Sequence, residues 1–147
     1  MEVLKLERGA GETTYGFSPR FAQMVFNGQP LFHHRSPFEF YQTTLRLIEN
    51  TDRWEYVIYN EERNIVASMA IYREWDMHVG ECLSVLVAFS TDEHKRALVG
   101  GYKWLKELAL SLGVEWISYT KATSQYEMVL KYKRVSCEGS RITSNAG

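Results

Sequence analysis

The second half of the chain alternates between patterns typical of strands and patterns typical of helices. Residues 84–89 are a nearly continuous apolar run, as in a buried strand. Residues 90–93 have the composition of a helix start, and Gly113 ends the helical pattern that follows. A second strand is predicted over residues 115–120 and a second helix over residues 124–134. Ligands of open α/β sheets lie at the carboxyl ends of such strands, so this half predicts where a site would lie.

The first half of the chain predicts one strand and then two helices. Alternation over residues 3–7 indicates the strand, and apolar spacing after Ser18 and Pro19 indicates a helix that ends near Gly28. A second helix is predicted over residues 36–49. Its start combines a capping Ser, a Pro in the first turn and a Glu that can reach back to the cap.

Three strands in an antiparallel meander are predicted next, over residues 54–60, 65–75 and 81–89, separated by polar turns. The full order is β-α-α-β-β-β-α-β-α, with one further short strand after it. This order predicts a mixed α/β (α+β) fold with a mostly antiparallel central sheet flanked by helices. We expect a single domain over residues 1–147, with residues 139–147 frayed.

Composition narrows the class of protein. With 147 residues, 45% apolar and 24% charged, the chain can bury a core without a metal or a disulfide. A formal net charge of −1 gives no reason to predict a nucleic acid or an anionic membrane as partner. No run approaches the roughly 18 apolar residues of a membrane span, and the N-terminus lacks a signal-peptide core. A cytoplasmic protein is predicted.

Metal-binding patterns are not found in the sequence. Cys82 and Cys137 form no CxxC pair and have no His at zinc-ligand spacing, so both are predicted to be free thiols. His33 and His34 are adjacent, but no third ligand is spaced to help them.

The order of elements resembles that of the GNAT superfamily of acyl-CoA-dependent N-acetyltransferases, over residues 3–137. The resemblance implies a fourth strand that binds the pantetheine arm of acetyl-CoA, a splayed fifth strand, and a long helix whose first turn binds the pyrophosphate. It implies acetyl-CoA as co-substrate and an amine, free or on a protein, as acceptor.

The resemblance also assigns cofactor-binding positions. Leu86, Val87 and Ala88 would face the pantetheine. The family pattern Arg/Gln-x-x-Gly-x-Gly/Ala falls on Arg96, Gly100 and Gly101, with the glycines one position late. Two interpretations stay open. Either the N–H groups here bind phosphates, or the glycines only allow the helix to pack closely while residues 90–93 form a capping box.

Two residues are candidates for proton transfer. Family members often carry a Tyr on the fourth helix that protonates the leaving thiolate, and Tyr132 would be that general acid, with Ser136 and Cys137 replacing the family's Gly and Phe. Glu81 is the first candidate for the general base and His78 the second. Each has a structural alternative: Tyr132 packed over the sheet, Glu81 paired across a hairpin, and His78 in a turn without a catalytic role.

Three hypotheses about function follow. The first is an N-acetyltransferase that passes an acetyl group from acetyl-CoA to an amine. The second is a catalytically inactive GNAT-like binding or assembly module, favoured by the displaced glycines, the acidic residues 92–93 and the short C-terminus. Its degenerate motif resembles divergent bacteriophage members, which implies a virion or host-takeover role. The third is self-association into a homo-oligomer through an unpaired sheet edge.

Overall fold

Six strands form one central sheet in which the spatial order equals the chain order. They are β1 (Glu2–Arg8), β2 (Arg53–Tyr59), β3 (Ile65–Asp76), β4 (Gly80–Ser90), β5 (Trp116–Ser124) and β6 (Glu127–Arg134). All neighbours are antiparallel except β4 and β5, which are parallel because a helix connects them. The predicted mixed fold with a mostly antiparallel sheet flanked by helices is confirmed.

This computed structural model describes residues 1–135. The predictions that concern Ser136, Cys137 and residues 139–147 lie outside that part of the chain. No helix within it is long and apolar enough to cross a membrane.

Three helices cover the two faces of the sheet: α1 (Pro19–Gly28), α2 (Pro37–Glu49) and α3 (Val99–Leu112). The core under α1 and α2 includes Phe21 and Phe40. The core on the other face includes Leu105 of α3, with Leu83 of β4 and Ile117 of β5. The sheet is therefore buried on both sides near its middle, as the apolar run in β4 predicted.

The predicted starts of α1 and α2 are confirmed. Ser18 accepts a hydrogen bond from the N–H of Phe21, and Ser36 accepts one from the N–H of Glu39 at 3.1 Å. Each cap is followed directly by a proline in the first turn, where the missing N–H leaves no bond unmade.

Residues 127–134 form a strand, and the helix predicted over residues 124–134 is wrong. After a short turn, β6 pairs antiparallel with β5 from Glu127 to Arg134. The larger apolar side chains recur at every second position, which is the period of a strand. They are Tyr126, Met128, Leu130 and Tyr132. Within residues 1–135 there is accordingly no fourth helix of the kind that the resemblance implied.

The long helix begins later than predicted, and the predicted capping box at residues 90–93 does not form. Thr91 is still held to β3, because its N–H donates to the carbonyl of Val66 at 3.0 Å. The chain must then pass to the other face of the sheet, and it does so through a 3-10 helix at Asp92–His94. Only then does α3 start, at Val99, and it ends as predicted at Gly113, whose φ of 71° is left-handed.

Candidate functional site

β4 and β5 pair over only three residues and then separate. The paired residues are Cys82 with Trp116, Leu83 with Ile117, and Ser84 with Ser118. Beyond them, residues 85–90 of β4 and 119–124 of β5 do not pair with each other, although each strand keeps its outer partner. A strand directs alternate backbone groups to its two sides, so N–H and C=O groups that the sheet does not use border this gap.

A cavity of about 500 Å³ opens at the gap. One wall is residues 85–90 of β4, and the opposite wall contains Thr120 and Ala122 of β5. α1, α2 and the segment between them contribute the remaining side. The volume lies in the range of about 300–1,000 Å³ that is typical of small-molecule and cofactor sites. The predicted pantetheine-binding residues Leu86, Val87 and Ala88 all line this cavity.

A register shift in β4 lies at the edge of the gap. Its pairing with β3 passes from Val85 directly to Val87, so Leu86 is the extra residue of a bulge. Val85 and Ala88 consequently pack with the core under α3, whereas Val87 packs with the core under α1 and α2. A bulge bends its strand and increases its twist, which is consistent with β4 turning away from β5 here.

Aromatic rings form an apolar wall of the cavity on the α2 side. The ring centroid of Phe40 lies 4.5 Å from that of Phe32 and 6.3 Å from that of Phe89. All three residues line the cavity. Their packing against one another makes this wall rigid and keeps its local polarity low.

Arg35 and Asp92 are the two charged side chains that line the cavity. The guanidinium of Arg35 lies 5.3 Å from the ring centroid of Phe40, and its Nη1 donates to Thr43 Oγ1 at 3.0 Å. Arg35 Nε is buried and has no hydrogen-bond partner in residues 1–135. Neither residue was predicted as a cavity residue, because the cavity that joins the α1–α2 connection to the end of β4 exists only in the folded chain.

The first turn of α3 has no side-chain cap. Leu98 is the N-cap residue and makes no side-chain hydrogen bond. Thr91 Oγ1 is instead hydrogen-bonded to His94 Nδ1 at 2.8 Å, well before α3 begins. Within residues 1–135, no side chain is therefore hydrogen-bonded to the first-turn N–H groups of Gly100 and Gly101.

Gly100 and Gly101 bring α3 close to the sheet. A Cβ at Gly100 would overlap the hydroxyl of Tyr56, and one at Gly101 would lie 3.2 Å from Tyr56 Cδ1 and 3.3 Å from Met69 Cε. Arg96 is exposed in the turn before the helix. These three predicted phosphate-binding residues do not line the cavity. They lie at and just before the start of α3, and the neighbouring Tyr102 does line the cavity.

Tyr132 lies on β6 and is bound to the turn between β3 and β4. Its hydroxyl donates to Asp76 Oδ2 at 2.8 Å, and His78 Nδ1 lies 3.3 Å from the same hydroxyl. The hydrogen bond to the Asp76 carboxylate raises the pKa of Tyr132 to about 12 and lowers the pKa of Asp76. Tyr132 is not among the residues that line the cavity.

Glu81 forms an ion pair with Arg73 across the β3–β4 hairpin. Both side chains are about half exposed, at 46% and 44%. Ser84 and Ser118 share a hydrogen bond of 2.6 Å on one sheet face, and Tyr132 is in register with Ser118 on that face. Side chains alternate along a strand, so Glu81 points to the opposite face. The structure does not bring the predicted acid and base together.

Cys82 is a buried free thiol beside the last paired row of the gap. Burial raises its pKa, and a hydrogen bond from Ser84 opposes that shift. In the described part of the chain, no group of three or more His, Cys, Asp or Glu side chains is arranged to hold a metal ion.

No protein-family model matches this sequence, and no curated protein sequence matches it either. The structure resembles that of a transcriptional regulator from Bacillus halodurans C-125, with a TM-score of 0.56, 16% identity and 83% of each chain covered.

Two acetyltransferases have similar structures. One is an aminoglycoside 6'-N-acetyltransferase from Acinetobacter baumannii, with a TM-score of 0.51, 10% identity, and coverage of 99% of this chain and 88% of that chain. The other is a glucosamine-6-phosphate N-acetyltransferase from Arabidopsis thaliana, with a TM-score of 0.52, 12% identity and 84% of each chain covered. At such identities the similarity concerns the fold alone. The chain therefore has the fold of the GNAT acetyltransferases.

Proposed function

We propose that this protein binds acetyl-CoA and transfers its acetyl group to an amine. The observation that carries the proposal is the gap between β4 and β5, which borders a cavity of about 500 Å³ with unused backbone groups. The pantetheine arm is narrow and contains amides, so it can bond to these groups much as an added strand would. The fold supports acetyl transfer only by analogy with acetyltransferases of similar structure, whereas the cavity gives a physical reason for cofactor binding.

In this proposal the diphosphate of acetyl-CoA lies at the first turn of α3. The N–H groups of Gly100 and Gly101 are free of side-chain caps, and the helix dipole places partial positive charge there. Arg96, exposed in the preceding turn, adds a full positive charge. Asp92 and Glu93 belong to a separate 3-10 helix, so they do not occupy these donors.

The chemical step is attack of the amine nitrogen on the thioester carbonyl carbon. A C–N bond forms, the C–S bond breaks, the CoA sulfur takes up a proton, and the nitrogen loses its surplus protons. Tyr132 is the proposed acid, and it would reach the sulfur only after its hydrogen bond to Asp76 breaks. Glu81 is the base predicted from the sequence. It lies on the opposite sheet face from Tyr132 and is paired with Arg73, so it could act only after that ion pair breaks and through more than one intervening water.

Binding without transfer is the second candidate function. It is favoured by the partners of the two proposed proton-transfer residues, because Tyr132 is engaged by Asp76 and Glu81 by Arg73. The virion or host-takeover role and the cytoplasmic location stay predictions from the sequence.

Thermal unfolding with acetyl-CoA tests the binding step. A ligand that binds only the native state raises the free energy of unfolding, by about 2.7 kcal/mol at a concentration 100 times its Kd. We expect acetyl-CoA to raise the Tm of the protein. The variant Ala122→Trp, which places a large ring in the gap, should lose that shift. Lys121→Trp, on the other face of the same strand and outside this cavity lining, should keep it.

An unchanged Tm at millimolar acetyl-CoA would refute the site. Release of free CoA thiol in the presence of amines separates the two candidate functions, since binding with no release from any amine supports the second. If Tyr132 is the acid, Tyr132→Phe lowers kcat by roughly 100-fold or more with KM little changed. A variant with full kcat removes Tyr132 from the mechanism.

A further inference from the structure

The closed end of the gap between β4 and β5 is where the thioester lies in the proposed complex. The diphosphate is at the first turn of α3, beside the end of β4, and the pantetheine arm runs from there back along β4. Residues 85–90 span roughly 20 Å, which suits an extended pantetheine arm. The gap closes at Ser84 and Ser118, whose hydroxyls share a hydrogen bond of 2.6 Å. The reacting carbonyl therefore lies next to this row of the sheet.

One face of the sheet is open to proton transfer at this row. Leu83 and Ile117 belong to the core under α3, which fills the other face. Ser84 and Ser118 point away from that core, because side chains alternate along a strand. Tyr132 is in register with Ser118 and lies on the same face. A base that works together with Tyr132 must therefore share the face of Ser84.

Glu74 of β3 is a carboxylate on this face. It pairs directly with Cys82, and Tyr72, two residues earlier on β3, pairs with Ser84. Directly opposed residues of antiparallel strands have Cβ atoms about 4.5–5.5 Å apart, and diagonal neighbours are about 7–8 Å apart. Glu74 is a diagonal neighbour of Ser84. Its side chain is long enough to bring the carboxylate to an amine nitrogen above that residue, directly or through one water.

The Glu74 carboxylate is half-buried and is not neutralised by a cation. Within residues 1–135 it forms no ion pair, whereas Glu81 on the opposite face is held by Arg73. Burial raises the pKa of Tyr72, and the adjacent Glu74 carboxylate adds to that shift. The negative charge of Glu74 is thus directed onto the face that carries Ser84, with its lone pairs available to a proton donor.

From this placement we infer that Glu74, and not Glu81, is the general base. This inference rests on the proposed acetyl transfer. Glu74 takes a proton from the ammonium group of the acceptor, and the freed lone pair of the nitrogen attacks the thioester carbonyl carbon. The C–N bond forms, the C–S bond breaks, and Tyr132 gives its proton to the sulfur. The remaining surplus proton of the nitrogen restores the Tyr132 hydroxyl, and Glu74 releases its proton to water, so one proton is lost in each turnover.

Two isosteric variants on neighbouring strands separate the two faces. Thiol release from acetyl-CoA with ethylamine should give a kcat for Glu74→Gln that is lower by about 100-fold or more, with KM for acetyl-CoA little changed. Glu81→Gln should keep the kcat of the wild-type protein. Glu74→Asp keeps the carboxylate on a shorter arm and should recover part of the loss. Glu62→Gln, in the exposed turn between β2 and β3, is the control for removal of a carboxylate elsewhere.

The basicity of the amine gives a readout that a merely structural role would not move. Trifluoroethylamine resembles ethylamine in size, but its fluorines lower the pKa of the amine, so it is already largely neutral near neutral pH. It therefore needs little help from a base to free its lone pair. The loss of kcat/KM in Glu74→Gln should be about tenfold or more greater for ethylamine than for trifluoroethylamine. An equal loss for both amines would show that Glu74 is not the proton acceptor.

Thermal unfolding keeps the possible failures apart. Acetyl-CoA should raise the Tm of Glu74→Gln as much as that of the wild-type protein, and loss of this shift would overturn the inference by assigning Glu74 to cofactor binding. Full kcat in Glu74→Gln, with or without a loss in Glu81→Gln, would also overturn it and leave the proposed transfer standing. If acetyl-CoA raises the Tm but no amine releases thiol, the transfer fails, the role of Glu74 fails with it, and the cofactor site stands.

Discussion

The hydroxyl of Tyr132 is shared between two side chains of the β3–β4 turn. It donates to Asp76 at 2.8 Å and lies 3.3 Å from His78 Nδ1. Asp76 Oδ1 in turn accepts from the backbone N–H groups of His78 and Val79, at 2.6 and 3.2 Å. These bonds orient the carboxylate towards Tyr132, and they explain why the pKa values of the two groups move in opposite directions.

Replacement of Asp76 should lower the pKa of Tyr132. We expect Asp76→Asn, which keeps an oxygen acceptor but removes the charge, to lower the pKa of Tyr132 from about 12 towards its ordinary value of 10.0. Ring-labelled tyrosine NMR measures this, with Tyr132→Phe identifying the resonance. A pKa of Tyr132 that is unchanged in Asp76→Asn would contradict the assigned cause.

The hydrogen-bonded pair of Tyr132 and Asp76 makes the free energy of unfolding depend on pH. Folding raises the pKa of Tyr132. The stabilisation of the fold by this group is therefore complete below pH 10 and is lost as the pH rises through about 12. The pKa of Asp76 is lowered on folding, so its contribution is present above the ordinary value of 3.8 and is lost as the pH falls below that value. Denaturant unfolding across these pH ranges should show both losses diminished in Asp76→Asn.

The contact between α3 and the sheet depends on the absence of a side chain at Gly100. Alanine there would favour the helix by up to about 1 kcal/mol, but its Cβ would overlap the Tyr56 hydroxyl. We expect Gly100→Ala to lower the free energy of unfolding by about 1–3 kcal/mol, the usual effect of overpacking. Denaturant unfolding measures it.

A Tyr56→Phe background isolates the cause. Without the hydroxyl, the nearest remaining atom of the ring, Cζ, would lie 3.5 Å from the new Cβ, which is an ordinary contact. Gly100→Ala should then cost little or nothing relative to Tyr56→Phe alone. An equal penalty in both backgrounds would show that the helix does not depend on this close approach.

β6 was predicted as a helix because the local sequence of this element is compatible with both a helix and a strand. The larger apolar residues of this segment have a period of two, but the basic residues Lys131, Lys133 and Arg134 also suit the exposed surface of a helix. The structure resolves the ambiguity by pairing the segment with β5 over eight residues. In the described part of the chain, a strand in this position leaves the sheet with an edge that no other strand covers.

At the scale of the molecule, that open edge is apolar and exposed. Within residues 1–135, β6 is the last strand of the sheet, and Met128, Val129 and Leu130 are 50%, 43% and 52% exposed. Unpaired edges of this kind readily add a further strand. Antiparallel pairing of two copies centred on Leu130 would place Glu127 opposite Lys133, so the charges of the edge complement those of a second copy.

We therefore expect the protein to form dimers through β6. Light scattering after size-exclusion chromatography should give the mass of two chains. Leu130→Lys, which would set like charges opposite each other at the centre of the pairing, should give one. The control is Leu110→Lys, because Leu110 is similarly exposed, at 43%, but lies on α3. A wild-type protein that stays monomeric at high micromolar concentration would refute the pairing.

Several elements could be read from the sequence because their signals are local. The capping Ser residues 18 and 36, the alternation along β2, and the left-handed Gly113 each depend on residues close to them in the chain. The predicted strands at residues 54–60, 65–75 and 81–89 accordingly lie close to β2, β3 and β4. The position of the cavity at the carboxyl ends of β4 and β5 also followed, because a crossover fixes where those ends lie.

The sequence by itself determined β1 to β5, the three flanking helices and the end of the sheet at which the cavity opens, since hydrophobic periodicity and turn chemistry depend on neighbouring residues alone. Only the tertiary structure decided that residues 127–134 are a strand, that α3 starts at Val99, and that Glu81 and Tyr132 face opposite sides of the sheet. It alone brought Arg35 and Asp92 to one cavity. These outcomes depend on which distant segments become neighbours, and that choice is made by the packing of the whole chain.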